Sequence, residues 1–160
     1  MEEELIILGI DPGFGRMGFG CVHVIGSSIE PVDFGVMTTE AGQPFEERLL
    51  HLARDLRDLL SHHRPHIVSI EKLFFAKNST TAMRVAEARG VVLVTVAEFG
   101  IAIAEFTPAQ VKKAVTGDGK AGKLGMQRMV RQLLNLDEIP KPDDAADALA
   151  LAITASTKRW

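Results

Sequence analysis

The sequence of 160 residues has very little cysteine, only Cys21, and no long apolar run. A single cysteine excludes a disulfide within the chain, and a reducing cytoplasm is the default for such a protein. No window approaches the roughly 18 consecutive apolar residues that a membrane span needs. The start of the chain, Met1 to Glu4, is acidic, whereas a secretory signal peptide begins with basic residues. These absences favour a cytoplasmic protein.

A basic excess is also lacking, since 18 Lys and Arg side chains stand against 21 Asp and Glu, a net charge of −3. By itself this balance argues against a nucleic-acid partner, because proteins that bind phosphates usually carry a basic surface. The balance changes if several carboxylates are bound to metal, since the rest of the chain is then slightly positive. The local distribution of charge is therefore a better guide to a nucleic-acid partner than the total charge.

No repeat, low-complexity segment or linker divides the chain, so we expect one domain over residues 1–160. Apolar runs and turn signals predict three strands in succession, then a helix, a strand, a helix, a strand and three helices. The expected fold is α/β. It is a mixed five-stranded sheet, antiparallel for the first three strands and parallel afterwards, flanked by helices.

Two helical segments carry specific expectations. The stretch from Thr80 to Phe99 is β-branched in its second half, which favours a strand by propensity alone. We predict instead one long, mostly buried helix in which Gly90 permits close packing. In the first helix, after Pro44, apolar residues recur at helical spacing, and this pattern places Arg48 away from the buried face.

The most informative stretch is Leu5 to Gly13, LIILGIDPG. An apolar run rich in Ile and Leu, closed by Pro12 and a glycine, predicts a buried central strand that ends in a turn. Asp11 then occupies the last position of the strand, where a carboxylate is costly unless it is hydrated, hydrogen-bonded or bound to metal. In the next strand, Gly18 and Gly20 indicate the close approach of another backbone.

Three later acids occupy comparable places. Glu71 ends the apolar strand HIVSIE, and Asp144 and Asp147 project from one face of the final helix because they are three residues apart. Two strand ends and one helix start can meet beside a sheet. Four hard oxygen donors suit Mg²⁺ or Mn²⁺. Two such ions activate a water and stabilise the leaving oxygen of a phosphodiester.

Each acid also has an ordinary structural explanation. Acids in a first helical turn complement the helix dipole and cap free N–H groups, which accounts for Asp143. For Asp144 alone, this explanation and a functional role are equally supported. A strand-end charge such as Glu71 can pair with a nearby lysine. Asp147 lies beyond the cap, inside a helix of Ala and Leu, and this position favours a functional role.

Two other motifs suggest rival functions. Four histidines, His51, His62, His63 and His66, could bind zinc, although a solvated basic helix end explains the last three better. The segment 117–123, GDGKAGK, matches the phosphate-binding pattern G-x-x-x-x-G-K. Leu124 replaces the Ser or Thr that should hold Mg²⁺, and the motif follows a predicted helix where a strand is required, so a nucleotide-binding module is disfavoured.

Four motifs together resemble the RuvC family of Holliday-junction resolvases: GIDPG, EKLFFAKN, TPAQVKKAVTG with its lysine loop, and PDDAADALALAIT. They span nearly the whole chain in order. The resemblance implies an RNase H-like fold, a homodimer, and symmetric nicking of four-way DNA junctions in recombination and repair. It also implies two Mg²⁺ ions per site, which Mn²⁺ can replace, and branch-migration proteins of the same pathway as partners.

The resemblance assigns roles by position. Four acids are implied to be catalytic and metal-binding: Asp11, Glu71, Asp144 and Asp147. Asp11 would bridge both ions. Phe74 is implied to stack on a base at the junction centre, and Lys112 and Lys123 to contact DNA. Physical chemistry agrees in part, because an aromatic beside a cation suits unpaired bases, and a lysine at a helix start opposes the dipole. Core packing of Phe74 and solvated helix faces remain the alternatives, as does a junction-binding protein without catalysis.

Overall fold

The structure, a computed structural model, describes residues 2–73 and 79–160; Phe74 lies outside them. Its elements are β1 (Glu4–Asp11), β2 (Arg16–Ile25), β3 (Ser28–Thr38), α1 (Phe45–His63), β4 (Ile67–Glu71), α2 (Thr80–Glu98), β5 (Ala102–Phe106), α3 (Pro108–Thr116), α4 (Lys123–Leu133) and α5 (Asp143–Ser156). The predicted order of strands and helices is confirmed. Among the described residues, no helix combines the length and apolar character needed to cross a membrane.

The strands form one sheet in the order β3-β2-β1-β4-β5. β1 pairs antiparallel with β2, as β2 does with β3, whereas β4 runs parallel to both β1 and β5. The predicted mixed sheet is therefore confirmed. β1 is central, and its C-terminal end at Asp11 lies beside the C-terminal end of β4 at Glu71, because Ile10 and Ile70 are paired one residue earlier.

Helices cover the two faces of the sheet. On one face, α1 and α2 contribute side chains such as Leu56 and Val92, which pack against Leu8 of β1. On the other face, α3, α4 and α5 build a second cluster in which Leu149 packs with Ile7. The acidic end of the sheet therefore opens between two helical layers.

A row of small residues crosses four strands beneath α5: Gly20, Gly9, Ser69 and Ala104. A Cβ built on Gly9 would lie 1.9 Å from the carbonyl oxygen of Ala148, and one on Gly18 would lie 2.0 Å from that of Asp144. No side chain fits in these gaps, so only glycine lets the backbone of α5 lie directly on β1 and β2. The close backbone approach predicted from the glycines of β2 is confirmed.

A buried hydrogen bond ties α5 to the neighbouring strand. The hydroxyl of Ser69 in β4 donates to the carbonyl of Leu151 at 2.7 Å. Successive side chains of a strand alternate between faces, so Glu71 lies on the same face as Ser69, and Asp11 on the same face as Gly9. Both strand-end acids therefore project toward the side of the sheet that α5 covers.

The single helix predicted for α2 is confirmed, but its predicted burial is wrong. Its buried residues are few: Ala88, Val92, Thr95 and Val96. Gly90 is exposed and a Cβ built on it would meet nothing within 4 Å, so Gly90 makes no close contact within the described part of the chain. α2 packs on α1 and the sheet through one face only, which leaves the opposite face open.

The outward placement predicted for Arg48 is also wrong, since the residue is only 6% exposed. Arg48 lies four residues before Leu52 and therefore shares the buried face of α1. Its Nε donates to the hydroxyl of Thr39 at 3.0 Å, and its guanidinium lies 5.2 Å from the centre of the Phe14 ring. A charge-based pattern treats arginine as a surface residue and misses such partners.

Gly9→Ala is expected to destabilise the fold, because its methyl group would collide with the backbone of α5. The free energy of unfolding, measured by urea titration, should fall by about 2–3 kcal/mol. Gly125→Ala in α4 is the matched control, since a Cβ there meets nothing within 4 Å. It should raise stability by up to about 1 kcal/mol, because alanine is the better helix former. Similar effects of both variants would contradict the tight packing of α5.

Candidate metal centre

Three of the four predicted acids meet at the end of β1. Asp11, Asp144 and Asp147 each present a carboxylate oxygen, and these oxygens lie within 4.8 Å of one another. Glu71 lies beside this group, because its charge acts on Asp11 and it lines the same cleft as Asp147. Carboxylates from three residues grouped in this way could hold a hard divalent cation such as Mg²⁺.

The electrostatics of the group are unfavourable without a cation. Burial, together with the charges of Asp147, Asp144 and Glu71, raises the pKa of Asp11 from 3.8 to about 8. Burial is also the main cause that raises the pKa of Asp147 and the pKa of Glu71. Bound divalent cations remove this repulsion. A donor set made only of carboxylates fits hard cations such as Mg²⁺ or Mn²⁺.

Arg16 is a site residue that the sequence analysis missed. Its Nε lies 2.5 Å from Oδ2 of Asp144, and its side chain is 52% exposed. Arg16 begins β2 directly after the turn that follows Asp11, so the same hairpin brings an acid and a cation to one end of the sheet. The signal in the sequence is an arginine five residues after a strand-end aspartate, which is too common a pattern to interpret alone.

Arg89 contacts the backbone of one of the acids, Glu71. Its guanidinium donates to the backbone carbonyl of Glu71 at 3.3 Å and to Oε2 of Glu105 at 2.8 Å. Arg89 therefore joins α2 to the ends of β4 and β5. The sequence analysis placed Arg89 in a helix but had no means of finding its partners, which lie in two different strands.

Asp143 and Lys123 form an ion pair beside the acidic group. Nζ of Lys123 lies 3.0 Å from Oδ2 of Asp143, and the amide of Gln127 donates to Oδ1 at 3.1 Å. The hydrogen bond with Asp143 raises the pKa of Lys123, and the same bond lowers the pKa of Asp143. The capping role expected for Asp143 is wrong, because Pro142 is the N-cap of α5 and no side chain caps it. Asp143 instead compensates a lysine that opposes the dipole of α4.

A cleft of about 330 Å³ connects the acids to the predicted DNA-contacting lysines. Glu71, Asp147, Lys112 and Lys123 all line it. The charge of Lys112 opposes the upward shift in the pKa of Glu71. The structure therefore brings two cations from α3 and α4 to the edge of the acidic group.

The rival motifs have structural explanations. The segment 117–123 joins α3 to α4 and follows no strand, which is the wrong context for a nucleotide-binding loop. His66 accepts a hydrogen bond from the amide of Ile6 at 3.0 Å, and His63 lies 3.0 Å from a carboxylate oxygen of Asp33. Within residues 2–73 and 79–160, no group of three potential ligands includes a histidine.

The family model described as crossover junction endodeoxyribonuclease RuvC matches residues 7–155. A curated protein with that description from Desulfitobacterium hafniense is 50% identical over 149 residues, which cover 93% of this chain and 90% of the relative. Another from Brevibacillus brevis is 51% identical over 148 residues, covering 92% and 89%. The solved structure of Thermus thermophilus RuvC in complex with Holliday junction substrate superposes with a TM-score of 0.89 at 36% identity, covering 94% of this chain and 92% of that chain.

Asp11→Asn is expected to stabilise the metal-free protein at pH 8 but not at pH 4. The pKa of folded Asp11, about 8, lies above the unfolded value of 3.8, so the wild-type protein loses stability as pH rises between these values. The gain for the variant at pH 8, measured by thermal unfolding with EDTA, should be up to about 5 kcal/mol, because each unit of pKa shift corresponds to about 1.4 kcal/mol. Asp58→Asn, at an exposed site on α1, is the control and should show no such dependence. An equal gain at both pH values would contradict the buried acidic cluster.

Proposed function

Because the chain belongs to the RuvC family of crossover junction endodeoxyribonucleases, we propose that its four clustered acids are the catalytic residues. The enzyme resolves four-way DNA junctions by metal-dependent hydrolysis of phosphodiester bonds, in recombination and repair. The observation that carries the assignment of the acids is the convergence of Asp11, Asp144 and Asp147, with Glu71 beside them. We also take residues 1–160 as one nuclease domain, since both helical layers share one sheet. A single cysteine and a DNA substrate favour the cytoplasm as its location.

We propose Mg²⁺ as the cofactor, with two ions per site and Mn²⁺ as a substitute. Bound ions of this kind activate the attacking water and neutralise the leaving oxygen of the phosphodiester. Asp11 is the residue suited to bridge both positions, because the charges of all three other acids act on it. Asp144 and Asp147 hold one side of the site from α5, and Glu71 holds the other side from β4.

The cations around the site orient the DNA in this proposal. Lys112 and Lys123 line the cleft that adjoins the acids, and both suit contacts with backbone phosphates. Phe74 follows Glu71 by three residues in the sequence and lies outside the described residues. On its position in the motif, we propose that its ring stacks on an unpaired base at the junction centre.

A homodimer is proposed because symmetric cuts in two strands require two equivalent sites. The open face of α2 supports this proposal. Met83 is 60% exposed and Val94 is 56% exposed, and Gly90 lies between them at helical spacing. The same face also carries the exposed Glu87. Exposed apolar side chains grouped on one helix face are typical of the contact between two copies of a chain. Branch-migration proteins of the same pathway are proposed as further partners on the family resemblance alone.

Asp11→Asn and Asp147→Asn are expected to abolish junction cleavage and to preserve junction binding. Each change removes a metal-binding oxygen from the site and leaves the lysines that contact phosphates in place. The measurements are cleavage of a synthetic four-way junction with Mg²⁺ and binding of the same junction with EDTA. Asp58→Asn on α1 is the matched control and should cleave at the wild-type rate. Wild-type cleavage by either of the two site variants would show that the metal-site assignment is wrong.

Val94→Glu is expected to convert the dimer to a monomer, because it buries a charge in the proposed contact between two α2 helices. Sedimentation at micromolar concentration measures the change. Val32→Glu is the control, since Val32 is also about half exposed but lies on the edge strand β3, away from α2. A wild-type protein that sediments as a monomer, or a Val94→Glu variant that remains a dimer, would contradict this interface.

A further inference from the structure

Two arginines surround a phenylalanine that follows the acidic end of β1. The guanidinium of Arg48 lies 5.2 Å from the centre of the Phe14 ring, and that of Arg84 lies 5.9 Å from it. Arg84 also lies 4.7 Å from the ring centre of Phe45, which packs edge-on against Phe14. We call Arg48 and Arg84 the Phe14 arginine pair. One cation comes from α1 and the other from α2, so the tertiary structure assembles the pair.

The Phe14 arginine pair lacks a negative partner. Among residues 2–73 and 79–160, no carboxylate oxygen lies within 4 Å of either guanidinium. The segment 74–78 contains neither Asp nor Glu. Arg48 is only 6% exposed, and a buried cation is costly unless an opposite charge compensates it. Contact with an aromatic ring contributes only about 0.5–2 kcal/mol.

The terminal nitrogens of Arg48 remain available to a ligand. In the described part of the chain, the hydrogen bond of Arg48 uses Nε, whose acceptor is the hydroxyl of Thr39. The other two nitrogens of the guanidinium make no hydrogen bond to the described residues, and no buried side-chain nitrogen in that part of the chain lacks a partner. A Cβ built on Gly15 would lie 3.4 Å from Nη2, which means that glycine keeps the space beside this nitrogen open.

The position of the pair relates it to the metal centre. Phe14 follows Asp11 by three residues, so their Cα atoms are at most about 11 Å apart. The arginines lie on the sheet face covered by α1 and α2, whereas Lys112 and Lys123 lie on α3 and α4, which cover the opposite face. The acids at the end of β1 and β4 therefore lie between two groups of cations.

We infer that Arg48 and Arg84 bind a backbone phosphate of the cleaved DNA strand, on the opposite side of the scissile phosphate from Lys112 and Lys123. The inference rests on the proposed function. A guanidinium offers paired donors that match phosphate oxygens, and the phosphate supplies the negative charge that the pair lacks. Contacts on both sides of the metal centre fix the register of the strand across it, which is the general role of phosphate contacts.

The test compares Arg84→Gln with Arg54→Gln in junction binding with EDTA. Arg84→Gln removes the more exposed charge of the pair and leaves the bond between Arg48 and Thr39 intact. Arg54→Gln removes the same charge from an exposed position on α1. At low salt Arg84→Gln should weaken binding by up to about tenfold, and the slope of log affinity against log salt should fall by about 0.9. Arg54→Gln should match the wild type in both respects.

A second measurement locates the contact. Neutral methylphosphonate groups replace, one at a time, the phosphates of the cleaved strand on either side of the scissile bond. One replacement should weaken binding by the wild type and by Arg54→Gln clearly more than binding by Arg84→Gln, which keeps only Arg48 at that phosphate. That position identifies the phosphate that the pair holds. Arg48→Lys keeps the charge but loses the planar fork of the guanidinium. A folded Arg48→Lys variant should bind the junction more weakly than the wild type and should respond less to the methylphosphonate at that position.

Two results would overturn the inference. One is a folded Arg84→Gln variant whose salt slope equals that of the wild type. The other is a methylphosphonate series in which wild type and Arg84→Gln respond alike at every position. Either result means that the pair only supports the turn at Phe14. A wild-type protein that fails to bind the junction at all would count against the proposed function instead, so the two failures are distinguishable.

Discussion

The contact between the backbone of α5 and the central strands is the constraint on which the site depends. Gly9 and Gly18 leave no side chain between the sheet and the carbonyls of Ala148 and Asp144. The first turn of α5 is thereby held against the end of β1, where Asp11 lies. A helix packed at the usual distance of about 10 Å from a sheet would carry its aspartates away from that end. The acidic cluster of this chain is therefore built from backbone contacts as much as from the acids themselves.

The same packing creates an electrostatic cost that only cations offset. Burial and mutual repulsion raise the pKa of Asp11, and the chain supplies partial compensation through Arg16 at Asp144 and Lys123 beside the acidic group. These cations are more than one third exposed, so solvent screens their effect. A site that is unfavourable when empty binds divalent ions more strongly, and such conflicts between stability and function are common at active sites.

Charge distribution, more than total charge, explains how an acidic protein acts on DNA. The net charge is −3, but four of the 21 acids lie together at the end of the sheet, where lysines line the adjoining cleft. Lys112 lies on one side, and the Phe14 arginine pair lies on the other. A DNA strand bound as we infer would therefore meet positive charge on both sides of the acidic cluster.

The sequence alone determined the order of the elements, the mixed sheet and the positions of the candidate acids at strand ends and a helix start, because alternation, capping signals and strand-end charges are local patterns. Tertiary structure alone decided which charges are partners. Arg48 is buried although its pattern indicates a surface residue, Arg16 reaches Asp144 across 128 positions of the chain, and α2 keeps an open face despite its apolar composition. Side chains from distant elements meet only when the helices pack on the sheet. No local sequence pattern encodes how close a helix packs to the sheet.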